Sequence, residues 1–230
     1  MNRTILRTTT AVAAVSAAAL FFPAVASAAP VSQAECAEIS TGNQANGWGV
    51  PFEDEAGQAG THSQAVVEDE DGSLELKVAE GKTRAVSYHS AGQLPLDDLT
   101  GTPAFDQTGT QANWQIRVSG AATGNSAENG FATLVNSGGD QWWATRALPD
   151  LPRGQTTTLA DLTEKAGAAT VVDYYGISVE GAPDTIANID NVSFNGCTTN
   201  FKFVGSSEEG GSNGSLGGFG LASLIPGLPS

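Results

Sequence analysis

Short apolar runs that alternate with period two, separated by Gly, Asn, Asp or Pro, recur from residue 73 to residue 204. A chain written this way builds sheets, because successive strand side chains point to opposite faces. SLELKV at 73–78 is the clearest case: Leu74, Leu76 and Val78 share one face, and Ser73, Glu75 and Lys77 the other. AVSYHS (85–90), NWQIRVSG (113–120), GFATLVNS (130–137), DQWWATRAL (140–148) and TVVDYYGISV (170–179) follow. ANIDNVSF (187–194) and TNFKFV (199–204) close the series. Only TTLADLTEKAG (157–167) reads as a helix, with Thr158 and Asp161 in capping-box positions and Gly167 as its stop. Many short strands with regular turns predict an all-β antiparallel sandwich of jelly-roll type with one short helix.

The ends of the chain differ from this middle. Arg3 and Arg7 precede an apolar stretch, Ala11 to Phe22, and then Ala26-Ser27-Ala28. That order predicts a secretory signal peptide over residues 1–28, cleaved after Ala28, and a secreted or cell-surface protein. The apolar stretch is shorter than the ~20 residues a spanning helix needs, so no transmembrane segment is expected. The sandwich domain is expected over 29–204. Residues 205–230 are Gly/Ser-rich with a short apolar end, and are expected to be a flexible, disordered tail.

Cleavage removes two of the ten basic residues and none of the 25 acidic ones, leaving a net charge of about −17. Such a surface repels phosphates, which excludes nucleic acid and anionic headgroups as electrostatic partners. Neutral glycans, cations and basic proteins remain compatible. The two cysteines, Cys36 and Cys197, bracket the strand region. In an oxidising compartment they are expected to form a disulfide joining the first and last strands.

Catalytic patterns are weak. Gly176-Ile177-Ser178-Val179-Glu180 approaches the nucleophile elbow, but Glu180 replaces the required glycine and no helix follows. The acidic runs EDE (53–55) and EDEDG (68–72) read as solvated turns, and His62 and His89 have no partner nucleophile in sequence. No catalytic residue is expected.

Aromatic pairs are the better candidates for binding. Trp142 and Trp143 are adjacent, as are Tyr174 and Tyr175, so one ring of each pair faces the core and the other faces out. An outward ring suits the apolar face of a sugar. Asp190 heads the run Asp190, Val192, Phe194, whose alternation points inward. An inward carboxylate needs a partner. Calcium would suit it, with Glu53 and Asp54 as expected co-ligands from the other end of the domain. The alternative is that Asp190 caps a turn by accepting backbone N–H bonds.

PFEDE at 51–55, GSLEL at 72–76, the paired aromatics and IDNV at 189–192 together resemble jelly-roll, galactose-binding-like carbohydrate-binding modules. The chain also resembles secreted actinobacterial β-sandwich proteins of unknown function. The first resemblance implies a non-catalytic module that binds a glycan or another extracellular component, with a structural calcium between its first and last strands. A polysaccharide hydrolase and a structural or protein-interaction module of the cell envelope are the competing expectations.

Overall fold

The computed structural model describes residues 36–49, 52, 55 and 57–204. The expected signal segment, the Gly/Ser-rich tail and both Glu53 and Asp54 lie outside the described residues. Among the described residues, eleven strands form two sheets, giving the all-β sandwich expected, compatible with a jelly roll. The first sheet contains β1 (Ile39–Thr41), β2 (Thr61–Ser63), β3 (Ser73–Lys77), β5 (Ala104–Gly109), β10 (Ile186–Phe194) and β11 (Cys197–Lys202). The second is five antiparallel strands in the order β4 (Arg84–Pro95), β9 (Val171–Glu180), β6 (Asn113–Ser119), β7 (Ala132–Asn136) and β8 (Trp142–Ala144).

The alternating runs place their apolar sides between the sheets. Leu74 and Leu76 of β3, Ile116 and Val118 of β6, Tyr175 and Ile177 of β9, and Val192 and Phe194 of β10 are all buried there. Tyr175 and Phe194 stack across the interior with ring centroids 4.2 Å apart and planes 8° from parallel. Each such side chain removed from water stabilises the fold by roughly 1.5–3 kcal/mol. Trp48 is also core: its ring meets Tyr175 and Phe201 edge-on, and its Nε1 donates to Thr199 Oγ1 at 3.2 Å.

The helix α1 (Leu159–Ala166) forms where the capping signal puts it. Thr158 Oγ1 accepts from the Asp161 amide, and Gly167 ends the helix at φ 87°, a conformation that costs glycine little. Leu162 and Ala166 face the core. Cys36 and Cys197 are disulfide-bonded, and β1 runs parallel to β11 three residues beyond Cys36. The bond joins the first and last strands, as the cysteine positions predict. Among the described residues, no helix is long and apolar enough to cross a membrane.

β10 positions the candidate site. It pairs with β3 over Ile186–Ile189 and with β11 over Val192–Phe194, while β5 lies along its other edge. The change of partner coincides with a bulge between Asp190 and Ser193, where Asn191 takes φ 50°. Ala187 and Ile189 are buried before the bulge, Val192 and Phe194 after it. The period-two pattern therefore slips by one residue at Asp190–Asn191, as a bulge requires.

Candidate functional site

Asp190 is fully buried, in agreement with its inward reading, but a bulge puts it there rather than uninterrupted alternation. Its Oδ1 accepts from the amides of Asn191 and Phe201, both at 2.8 Å. The carboxylate thus satisfies a β11 amide where β10 changes partner. Oδ2 has no partner and no access to solvent. Burial raises the Asp190 pKa; the two amide bonds offset part of that rise, and the charges of Asp69 and Asp71 add to it.

Those two aspartates come from EDEDG, the run read above as a solvated turn. Asp69 is exposed, but Asp71 is half-buried against β11. Asp71 Oδ2 receives Lys202 Nζ at 2.7 Å and Asn200 Nδ2 at 3.2 Å, and the Phe203 amide donates to the Asp71 carbonyl at 2.8 Å. Asp71 Oδ1 is enclosed without a partner. Gly72 makes this approach possible, since a Cβ there would lie 2.5 Å from the Phe203 nitrogen. Carboxylate oxygens of Asp69, Asp71 and Asp190 all fall within 4.8 Å of one another. The spacing of residues 69, 71 and 190 carries no signal of this meeting.

Glu55, the end of the other acidic run, is not a solvated turn residue either. It is fully buried and ion-paired with Arg84, with Arg117 Nη1 at 3.8 Å and Tyr88 Oη donating at 3.3 Å. Arg84, Tyr88 and Arg117 belong to β4 and β6 of the five-stranded sheet, whereas Asp190 belongs to the other sheet. Two arginines and a hydroxyl meet Glu55 at Oε1 while Oε2 is enclosed without a partner, an internal ion pair covering the outer face of that sheet.

The four aromatic candidates do not converge. Trp142 and Tyr175 face the core, Trp143 and Tyr174 face outward and are half-buried. Phe52 stands edge-on over Tyr174 at 5.0 Å and lies 3.5 Å beneath the Arg117 guanidinium, so the Tyr174 ring is engaged. Trp143 sits on β8, three strands from β9 in the sheet order, or about 14 Å at normal strand spacing. Trp142 instead borders a cleft of about 400 Å³ between α1 and the loop after β4. Leu96, Leu99, Pro103 and Leu159 give it apolar walls; Asp97, Thr102, Asp140 and Thr163 supply polar groups.

Ser178 and His62 each have a defined hydrogen-bond partner. Ser178 is fully buried in the middle of β9 and accepts from Gln115 Nε2 at 2.9 Å, so the GISVE segment is strand and no elbow. His62 meets Ser40, a pairing not visible in sequence, with Nε2 3.0 Å from Oγ. The Ser40 hydroxyl donates to the Ala45 carbonyl at 2.9 Å, so the imidazole supplies the proton in the His–Ser bond. Ser40 is fully buried; burial lowers the His62 pKa, and a hydrogen bond to the Ser40 backbone offsets this in part. Compared with known proteins, the chain matches no family model, no curated protein and no solved structure.

Proposed function

We propose that this chain is an exported, non-catalytic β-sandwich of the galactose-binding-like kind, binding a neutral glycan or a similar polyhydroxylated extracellular component in the cleft beside Trp142. The cleft is the observation that carries the reading. Its half-buried Leu99 and Leu159 suit the apolar face of a sugar ring, and Trp142 borders the cleft from the core side. Its aspartates and threonines offer acceptors and donors for hydroxyl groups, the usual division of labour in a small-ligand site. The acidic composition favours an uncharged ligand over an anionic one. Export accords with the N-terminal sequence and with the disulfide, since such bonds persist in oxidising compartments.

The test is a glycan-array screen of the purified protein, followed by calorimetry on the best neutral ligand. Asp97→Ala and Asp140→Ala lie at the cleft, and each is expected to weaken binding about tenfold or more, the loss of one good polar contact, without moving the thermal midpoint. Trp143→Ala on the outer face is expected to leave affinity unchanged. Absence of binding across the array would overturn the reading. Loss of binding in the Trp143 variant alone would move the site to the outer face of the five-stranded sheet.

A further inference from the structure

We propose that Asp69, Asp71 and Asp190 form a site for one hard divalent cation, calcium by preference, at the seam where β3, β10 and β11 meet. The separation of their oxygens is the first support. Calcium holds oxygen ligands at about 2.3–2.6 Å, so two ligands on opposite sides of one ion stand roughly 5 Å apart. The three carboxylates offer oxygens that all lie within 4.8 Å of one another, close enough to share an ion.

Asp190 supplies the second support, independent of that clustering. Its side chain is fully buried, one oxygen is saturated by two amides, and the other has nothing to bond to. A buried carboxylate oxygen left without a donor is costly, and natural folds rarely keep one. Asp71 has the same division of roles: Lys202 and Asn200 hold Oδ2 while Oδ1 is enclosed and unanswered. Amides and an ammonium therefore fix both carboxylates in place and leave one oxygen of each free.

Charge points the same way. Among the described residues, three carboxylates face one ammonium, that of Lys202, so positive charge falls short of the acids at the seam. The donor set is all oxygen, with no histidine or cysteine, which disfavours zinc and favours calcium, whose coordination tolerates irregular geometry. The loop before β3 would be tied by such an ion to β10, while Asp71 and Asp190 already bond to β11. Glu55 pairs with Arg84 and Arg117 on the other sheet, and the expected co-ligands Glu53 and Asp54 lie outside the described residues.

The experiment uses the purified protein stripped with EDTA and dialysed free of chelator. Titration with calcium chloride by calorimetry is expected to give one site, with a dissociation constant of about 10⁻⁶ to 10⁻³ M. The thermal midpoint is expected to rise by several degrees at saturating calcium and to fall again on chelation. Asp69 is exposed, so Asp69→Asn should fold normally while binding calcium at least about tenfold more weakly. Asp190→Asn keeps an oxygen for the Asn191 and Phe201 amides and should abolish the calcium response. A wild-type protein that shows neither heat nor a midpoint shift with calcium overturns the site. So do Asp69→Asn and Asp190→Asn variants that bind as wild type does, because the ion would then lie elsewhere. Neither outcome depends on glycan binding, so this site and the Trp142 cleft stand or fall separately.

Discussion

At the scale of single residues, chemistry here follows from what surrounds a titratable group more than from its type. His62 is the clearest case for a pH effect. Burial depresses its pKa below the usual value of about 6.5, and a hydrogen bond to the Ser40 backbone recovers only part of that. The folded state therefore takes up a proton at His62 less readily than the unfolded state. Its contribution to stability is complete above about pH 6.5 and is lost as pH falls from there toward the depressed folded value. The thermal midpoint should decline as pH falls from about 7 to 5, and His62→Gln should flatten that decline. Equal slopes for the two proteins would remove His62 as the cause. Sequence patterning made Asp190 legible as a buried acid, because Val192 and Phe194 declare the inward side. It misread Glu55 and Asp71, since consecutive acids in a run look alike until distant partners select among them. Asp71 meets Asn200 across 129 positions, and no local pattern encodes such a meeting.

At the scale of elements, local signals were mostly sufficient. SLELK became β3, TVVDYYGISV became β9, and the Thr158–Asp161 cap with Gly167 delimited α1 within a residue. The strands without a sequence signal, β1, β2 and β5, are short or half-exposed and carry little alternation of apolar and polar residues. The bulge in β10 has no such signal either, because partner exchange between β3 and β11 is a property of the sheet and not of the strand. Thr158 gives the element scale its prediction. Its hydroxyl is the acceptor for the Asp161 amide, and an alanine there leaves that donor to water. Thr158→Ala should cost about 1 kcal/mol, or roughly 2–4 °C of midpoint in a domain of this size. Leu162→Ala, on the buried face of the same helix, should cost about 2–5 kcal/mol through the cavity it leaves. Chemical denaturation of both variants would check the order; a larger loss at Thr158 would mean that the cap, not the buried face, holds α1 to the domain.

At the scale of the whole molecule, the two ends of the sandwich depend on a few long-range ties. β1 is three residues long and pairs along one side with β11, in parallel, a geometry slightly weaker per residue than antiparallel pairing. Such a strand has little hold on the sheet by itself. The Cys36–Cys197 bond fixes one end of this pair across a sequence separation of 161, and on the chain-entropy model a loop of that length gives up to about 5 kcal/mol. Reduction should therefore lower the thermal midpoint by up to about 15 °C. The loss should also be uneven in space. β6 and β9 lie inside the five-stranded sheet, paired on both sides and far in sequence from either cysteine. β1 and β11 lie at the edge that the disulfide closes. Native-state amide exchange after reduction should speed up first at Ile39–Thr41 and at their β11 partners Asn200–Lys202, while the central amides of β6 and β9 stay protected until global unfolding. Acceleration spread evenly over both sheets would mean that the bond acts only by restricting the unfolded chain. Acceleration confined to β1 and β11 would assign it a second role, holding that edge of the sandwich closed.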